Sequence, residues 1–297
     1  MIKDTKLPEQ FFPDWSRFIS AVWEHGRSVK NMQPKLADAH VYRAVDGIKS
    51  SIVQRNESRY IRPSSFLSCA RQAYFFLQGH DAGKMPDTIG STFAVGHLLH
   101  ELSYAAVLSA IPLGFKVHTE YEVALPEWWP HDHESFNNEG HVDMLIEIED
   151  PALAAKYLPE EVIEASPKML VDFKTMGGYS YRKHSKAIFD YDPDGFGYVS
   201  QLSTYASALG VEKYGAIIAG INRDQLQARL NTRLVAPEIL QWNIERLKRN
   251  LEKAIAGQDP GVEFINRHKE EANFYCGKGG KPGYCPFKQV CKETPVE

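Results

Sequence analysis

The stretch KMLVDFK, residues 168–174, predicts a β-strand that ends in two charged residues. Residues two apart in a strand point to the same face of a sheet, so Asp172 and Lys174 are expected to project together. A carboxylate can hold a hard divalent cation. A neighbouring lysine can orient or deprotonate a water, or stabilise negative charge on a phosphate. Taken alone, such a pair is usually an ordinary surface pair at a strand end.

Helix and strand patterns surround this stretch and give it a context. Before it, the sequence predicts helices over residues 9–25 (interrupted at Pro13), 35–50, from 63–65 to Gly79, and 88–110, then strands over 114–125 and 139–149. After it, the sequence predicts a helix over 196–210, strands over 213–222 and 226–235, and a helix over 236–257. This order of elements predicts an α/β fold with a central mixed sheet flanked by helices. The proline-containing segment 150–167 is expected to be an insertion with room for a short helix.

Composition limits the class of protein. The chain has 297 residues, which is one large domain or two small ones, and 43% hydrophobic with 24% charged residues excludes a wholly disordered or collagen-like chain. No apolar run approaches the ~18 residues that a membrane span needs, and the N-terminus lacks the apolar stretch of a signal peptide, so we expect a cytoplasmic protein. The net charge of −4 argues against non-specific coating of DNA, although a local basic strip is compatible with it.

Three further patterns hold residues suited to a metal site. Asp143 follows Gly140 in the neighbouring predicted strand and could complete a site with Asp172, and the glycine would allow a close approach. His100 follows Gly96 by one helical turn and could be a third ligand, with His97 and Glu101 as alternatives nearby. Gln201 and Tyr205 are also one turn apart, so a glutamine amide and a tyrosine hydroxyl would face one direction. Each pattern alone more often reflects packing.

The cysteines form a separate pattern. They are Cys69, Cys276, Cys285 and Cys291, with three of the four in the C-terminal segment FYCGKGGKPGYCPFKQVCKE. Four thiolates are the usual complement of a structural zinc site or an iron–sulfur cluster in a reducing compartment. The segment is too rich in Gly, Pro and Lys to hold a core, and a metal would order it. The alternative is four unrelated thiols, some buried as small hydrophobic groups.

The order of these motifs resembles that of a known nuclease family. Along the chain they are Cys69, G-x-x-x-H at 96–100, G-x-x-D at 140–143, D-x-K at 172–174, Q-x-x-x-Y at 201–205, and the cysteine triplet. This resembles the RecB-like exonucleases of the PD-(D/E)XK superfamily. It is most similar to their iron–sulfur branch, which includes the CRISPR-associated adaptation nuclease of the Cas-four type and the AddB-type nuclease domain. The resemblance covers about residues 62–292.

The resemblance implies a role for each motif. The fold is expected to be restriction-endonuclease-like, with a nuclease domain over 61–297 and a helical segment over 1–60 that caps the fold or binds a partner. The implied metal ligands for Mn²⁺ or Mg²⁺ are His100, Asp143, Asp172 and the carbonyl of Phe173. Lys174 is implied as the catalytic lysine, supported by Gln201 and Tyr205.

The implied cluster is [4Fe–4S], held by Cys69, Cys276, Cys285 and Cys291, and its implied role is structural, tying the C-terminal tail to the first helix of the nuclease domain. Five residues separate Cys285 and Cys291, as in the family, but eight separate Cys276 and Cys285 where the family often has two. Zinc therefore stays open at this site.

The implied function is a metal-dependent DNA exonuclease that acts on single-stranded DNA or DNA ends in CRISPR adaptation, phage recombination or repair. Recombination or CRISPR-adaptation proteins and further copies of the chain are the implied partners, with no membrane association. Candidates for a DNA groove are Arg62, Arg71, Tyr179, Tyr181, Arg182 and Lys183. Two alternatives stay open: a non-catalytic DNA-end-binding subunit of an integration or recombination complex, and a zinc-stabilised interaction domain with accidental motifs.

Overall fold

The computed structural model describes residues 6–28, 30–53, 60–64, 69–81, 89–184, 197–225, 229–261, 285 and 287–293. The helices of these ranges are α1 (Trp15–Gly26), α2 (Pro34–Val53), α3 (Ala70–Leu77), α4 (Ile89–Ala110), α5 (Pro151–Ala154), α6 (Glu160–Ala165), α7 (Gly178–His184), α8 (Tyr198–Leu209), α9 (Pro237–Ile255) and α10 (Lys288–Glu293). The strands are β1 (Phe115–Ala124), β2 (Glu139–Ile148), β3 (Lys168–Met176), β4 (Ala216–Asn222) and β5 (Asn231–Val235).

The strands of the described ranges form one five-stranded sheet in the order β1-β2-β3-β4-β5. Strands β3 and β4 are parallel, and every other neighbouring pair is antiparallel. The parallel pair is joined by a crossover that includes α7 and α8, as parallel pairing requires. The predicted α/β fold with a central mixed sheet flanked by helices is therefore confirmed.

Helices cover both faces of the sheet and create two hydrophobic cores. The first core lies between one face and helices α1 and α4, and in it the ring of Phe18 stacks on Phe115 with centroids 4.6 Å apart. The second core lies between the other face and helices α3, α8 and α9. Because α1 lies in the first core, this helix belongs to the same folded unit as the sheet. None of the helices in the described ranges combines the length and apolar character that crossing a bilayer needs.

Several predicted element boundaries were wrong, for local reasons. Helix α1 begins only after Pro13, where the Asp14 side chain accepts a hydrogen bond from the Arg17 amide and caps the helix. The predicted helix start at residues 63–65 is wrong, because Ile61 forms a bridge to Phe136 and α3 begins at Ala70.

Two further differences concern the later part of the chain. Strand β4 begins at Ala216 because residues 212–214 form a 3₁₀ turn that ends at Gly215, whose φ of 81° favours glycine. The segment 150–167 holds two short helices, α5 and α6, and helices α7 and α10 were not predicted.

Strands β2 and β3 separate early, and this opens a gap in the sheet. They pair only from Met144 opposite Val171 to Glu147 opposite Lys168. Beyond Met144, β2 continues to pair with β1, and beyond Val171, β3 continues to pair with β4. The sheet thus forks, and the residues just past the last pair, Asp143 and Asp172, stand on opposite sides of the gap.

The hairpin of β1 and β2 also changes faces at the fork. Where β2 pairs with β3, the apolar side chains of the hairpin lie in the first core. Beyond the fork, the apolar side chains of the hairpin lie in the second core. The residues that show this are Phe115 and Met144 in the first core and Val123 and Val142 in the second. The exchange falls at Glu120, whose φ of 48° breaks the regular alternation of a strand.

The close contact of α1 with α4 generates a stability prediction. A Cβ added at Gly26 would lie 1.8 Å from the backbone oxygen of Ala106, which cannot move without displacing α4. Gly26→Ala should therefore lower the free energy of unfolding by about 1–3 kcal/mol, measured by urea denaturation.

Gly47→Ala is the matched control, since the added Cβ would meet only the exposed side chain of His97 at 3.2 Å. Alanine is the better helix former, so the control should be neutral or stabilising by up to about 1 kcal/mol. Equal stability of the two variants would contradict the packing argument at Gly26.

Candidate active site

Asp143 occupies the gap between β2 and β3 and replaces a missing backbone partner. Its Oδ2 accepts a hydrogen bond of 2.7 Å from the amide of Phe173, an amide that lies just past the last pair of the β2–β3 ladder. A buried N–H needs a partner, so the carboxylate stabilises the fork as well as lining it. The fork and the position of Asp143 are therefore one feature.

Asp172 and Lys174 project together from β3, as the alternation of a strand predicts. Lys174 Nζ donates to Asp172 Oδ1 at 2.9 Å and to Gln201 Oε1 at 3.0 Å. The ring of Tyr198 lies 5.1 Å from the same nitrogen. The predicted juxtaposition of Asp172 and Lys174 is confirmed, and α8 supplies the Gln201 amide that fixes the ammonium group.

Tyr205 fits against Gly140 on the other side of the gap. A Cβ at Gly140 would lie 2.5 Å from Tyr205 Cε1, so the ring occupies the space that a side chain would fill. Burial raises the pKa of Tyr205 to about 12, although a hydrogen bond with Gln201 acts to lower it. The hydroxyl therefore keeps its proton at neutral pH. The glycine of the G-x-x-D motif and the tyrosine of the Q-x-x-x-Y motif are thus packing partners.

His100 approaches the gap from α4. Its Nδ1 lies 3.6 Å from Asp143 Oδ2, which is longer than a hydrogen bond. Burial, together with the positive charge of Lys174, lowers the pKa of His100 to about 4. The imidazole is therefore neutral near pH 7 and offers a lone pair, which is the form that binds a metal.

The carboxyl groups of the gap are disfavoured as anions. Burial raises the pKa of Asp172 to about 6, aided by the negative charge of Asp143 and opposed by Lys174. Burial also raises the pKa of Asp143. For Lys174 burial acts in the other direction, but the two carboxylates outweigh it and raise its pKa above the ordinary value. Lys174 is therefore an ammonium group in this arrangement, suited to orienting and charge stabilisation rather than to taking a proton.

One carboxylate oxygen in the gap has no partner among the described residues. Asp172 is 3% exposed, and its Oδ2 is buried without a hydrogen bond. An unpartnered buried oxygen is costly and calls for a ligand. Two carboxylates and a neutral imidazole are donors that suit a divalent cation such as Mn²⁺ or Mg²⁺. Within the described ranges, however, no three His, Cys, Asp or Glu side chains are already gathered in a metal-binding arrangement.

The alternatives to His100 on α4 lie elsewhere. Glu101 is buried and pairs with His40 Nδ1 at 2.6 Å and with Arg43 Nε at 3.4 Å, so its carboxylate is committed to α2. His97 is exposed. Phe173, whose carbonyl is the fourth implied ligand, has a fully buried side chain in the first core.

The structure adds two residues that the motifs did not include. Tyr104, one turn after His100 on α4, is fully buried and donates its hydroxyl to Glu120 Oε1 at 2.7 Å. Helical spacing from His100 could have suggested Tyr104. Nothing in the pattern HTEYE distinguishes Glu120, because its placement depends on the backbone turning at that residue.

Two of the three tail cysteines lie against α3, and Cys69 is the residue just before that helix. Gln72 Nε2 lies 3.6 Å from Cys285 Sγ, and Arg71 Nη1 lies 3.7 Å from Cys291 Sγ. Cys69 is buried and caps α3 with its backbone. Cys276 lies outside the described residues. These contacts place Cys285 and Cys291 beside α3.

The prediction that Arg71 lines a DNA groove was wrong. Arg71 is 1% exposed, and its guanidinium forms an ion pair with Asp259. Arg62 and Arg182 are exposed, and the hydroxyl of Tyr181 donates to the carbonyl of Arg229. The side chains of the remaining two candidates, Tyr179 and Lys183, lie outside the description.

Comparison with known proteins gives a weak structural similarity and no sequence match. No family model matches the chain, and no curated protein is similar to it in sequence. Among solved structures, the crystal structure of SSO0001 aligns with a TM-score of 0.39 and 15% sequence identity, covering 77% of this chain and 91% of that one.

The Arg71–Asp259 pair generates a prediction of pH dependence. Burial raises the pKa of Asp259, but the hydrogen bond from Arg71 outweighs it and the net pKa is lowered. A lowered pKa contributes stability that is present above the ordinary carboxyl value of 3.8 and is lost as the pH falls through the folded value. Asp259→Asn should lower the free energy of unfolding by about 1–3 kcal/mol at pH 7, because a buried guanidinium loses its ionic partner.

The difference between wild type and Asp259→Asn should shrink as urea denaturation is repeated at pH values falling below about 4. Asp46→Asn is the control, since Asp46 forms an exposed ion pair with Lys49 at 3.4 Å. Its effect on stability should be under about 1 kcal/mol. A difference at Asp259 that stayed constant with pH would contradict the ionic role.

Proposed function

We propose that this chain is a metal-dependent DNA exonuclease of the RecB-like type, within the PD-(D/E)XK superfamily and its restriction-endonuclease-like fold. The observation that carries the proposal is the forked sheet, where Asp143 and Asp172 face one gap beside the Lys174 ammonium group. The buried, unpartnered Oδ2 of Asp172 supports a cation in that gap. The order of the sequence motifs supports the superfamily.

The reaction would be hydrolysis of a phosphodiester bond, in which water adds to phosphorus and the bond to the leaving oxygen breaks. Asp143, Asp172 and His100 would hold Mn²⁺ or Mg²⁺, with the carbonyl of Phe173 as a further donor. The bound cation would polarise the scissile phosphate and acidify a water. An imidazole among the ligands favours Mn²⁺ over Mg²⁺.

Lys174 would orient the attacking water and offset the negative charge that develops on the phosphate. Its contacts to Asp172 and Gln201 fix the ammonium group before substrate arrives. Tyr205 holds the gap open on the Gly140 side. Preorganised groups of this kind need no rearrangement at the moment of reaction.

The proposed substrate is single-stranded DNA or a DNA end. Helix α7 follows β3, the strand that carries Asp172 and Lys174, and it bears Tyr181 and the exposed Arg182. An aromatic ring and a cation suit stacking on bases and contact with phosphates. Recombination or CRISPR-adaptation proteins, and further copies of this chain, are the proposed partners.

The cysteines are proposed to hold a [4Fe–4S] cluster with a structural role. The donors would be Cys69, Cys276, Cys285 and Cys291. The contacts of Cys285 and Cys291 with residues of α3 support this, because they bring the tail to the helix that Cys69 precedes. Zinc is the alternative metal for the same four thiolates.

The nuclease proposal predicts the loss of cleavage in two variants. Asp172→Asn removes a cation-binding charge, and Lys174→Met removes the group that orients water. Each should reduce Mn²⁺-dependent degradation of end-labelled single-stranded DNA by about 100-fold or more. The measurement is a gel assay with a series of divalent metals and both 5′ and 3′ labels.

Lys168→Met is the matched control for Lys174→Met, because Lys168 lies on the same strand and pairs with Glu147 away from the gap. It should cleave at the wild-type rate. Cleavage at the wild-type rate by either active-site variant would make the site assignment wrong. DNA binding without cleavage by the wild type would instead favour the non-catalytic end-binding subunit.

The cluster proposal predicts a brown protein when it is purified without oxygen. It should absorb near ~400 nm and contain about four iron atoms per chain. Cys285→Ser and Cys291→Ser should each lose iron, measured by metal analysis. A colourless, zinc-loaded preparation would overturn the iron assignment, and iron retained in Cys276→Ser would exclude Cys276 as a ligand.

A further inference from the structure

Glu120 has a backbone conformation that side chains rarely adopt. Among the described residues, Glu120 is the one non-glycine residue with a positive φ, which is 48°. It lies in the middle of β1. Such a conformation is costly and persists where the surrounding structure holds it, often at a functional site. The residue opposite Glu120 in the β1–β2 register is Asp143, between the pairs Thr119–Met144 and Tyr121–Val142.

The Glu120 carboxylate lies next to the candidate active site. Its Oε1 accepts a hydrogen bond of 2.7 Å from the hydroxyl of Tyr104, and the same hydroxyl also interacts with Asp143. Burial and the charge of Asp143 raise the pKa of Glu120. A hydroxyl has one proton to donate, so it can satisfy only one of the two carboxylates.

A buried polar atom independently indicates a ligand at this place. Asp172 Oδ2 is buried without a hydrogen bond, although Lys174 contacts the other oxygen of the same carboxylate. Asp143 repels both Asp172 and Glu120. The single ammonium group of Lys174 does not satisfy all the oxygens of these carboxylates. Because Glu120 is exposed, an ion from solvent can reach it.

We propose that Glu120 is a further carboxylate of the cation site, with Tyr104 as the residue that positions it. The ligand class is a divalent cation of the Mg²⁺ or Mn²⁺ type. This inference rests on the proposed function, and it extends the ligand set beyond the three motif residues. The register supports this, since Glu120 lies opposite Asp143 on the neighbouring strand.

The competing interpretation is that Glu120 only accepts the hydrogen bond of a buried tyrosine. Glu120→Gln distinguishes a cation ligand from a structural acceptor, because the amide oxygen can still accept the hydrogen bond from Tyr104 while the negative charge is lost. Glu122→Gln is the matched control: Glu122 lies two residues along the same strand, opposite His141. Tyr104→Phe keeps the Glu120 charge and removes only the positioning hydroxyl.

The experiment is calorimetric titration of the full chain with Mn²⁺ alone, at constant salt and without DNA. Glu120→Gln should weaken Mn²⁺ binding by about 10-fold or more, and Tyr104→Phe should weaken it by a smaller factor. Glu122→Gln should bind as the wild type does. In EDTA, Glu120→Gln should unfold at the same temperature as wild type or at a higher one, because the repulsion between Glu120 and Asp143 is lost. The stabilisation by added Mn²⁺ should be smaller in the variant.

Two outcomes would overturn the inference in distinguishable ways. Wild-type Mn²⁺ affinity in Glu120→Gln, with binding lost in Asp172→Asn, would make Glu120 a structural residue and leave the proposed function intact. Absence of Mn²⁺ binding in the wild type would remove both the inference and the proposed function.

Discussion

The amide of Phe173 donates its hydrogen bond to the carboxylate of Asp143, and not to the backbone of the neighbouring strand. A strand that leaves its neighbour exposes amides that need partners, and in a buried sheet an unmet amide is costly. Here the partner is a side chain that also lines the gap. The separation of β2 and β3 and the presence of a carboxylate inside the sheet thus depend on one another.

The charges of the gap follow from that geometry. Asp143 and Asp172 stand on opposite sides of the fork, where burial raises the pKa of both carboxyl groups. The Lys174 ammonium group lies beside Asp172, and Gln201 holds it from α8. Attraction to the carboxylates outweighs the cost of burying the ammonium group. The result is a polar cluster enclosed by two hydrophobic cores, which suits an ion more than it suits further packing.

The sequence was informative where a local pattern carries a physical rule. Alternation along residues 168–174 correctly predicted that Asp172 and Lys174 would lie side by side. Helical spacing placed Gln201 and Tyr205 on one face of a helix, but the contact of Gln201 with Lys174 is a finding of the structure. The positions of the strands also followed from local pattern. Arg71 shows the limit: as an isolated basic residue it suggested DNA contact, but it is buried against Asp259, which is far away in the sequence.

Features that depend on long-range geometry could not be predicted. The early end of the β2–β3 ladder has no sequence signal, because pairing partners are chosen by the whole sheet. Glu120 likewise looks like any exposed residue of a strand, and its positive φ results from the exchange of faces between the cores. Helix α7 is short, and its polar sequence GYSYRKH resembled a loop.

The exchange of faces along the hairpin has a mechanical consequence. One half of β1 and β2 is fastened to α1 and α4, and the other half is fastened to α8 and α9 through the second core. The crossing point, at Glu120 and Asp143, therefore joins the packing of the two layers. A substitution deep in either layer that shifts its half of the hairpin would change the width of the gap without touching Asp143 or Asp172.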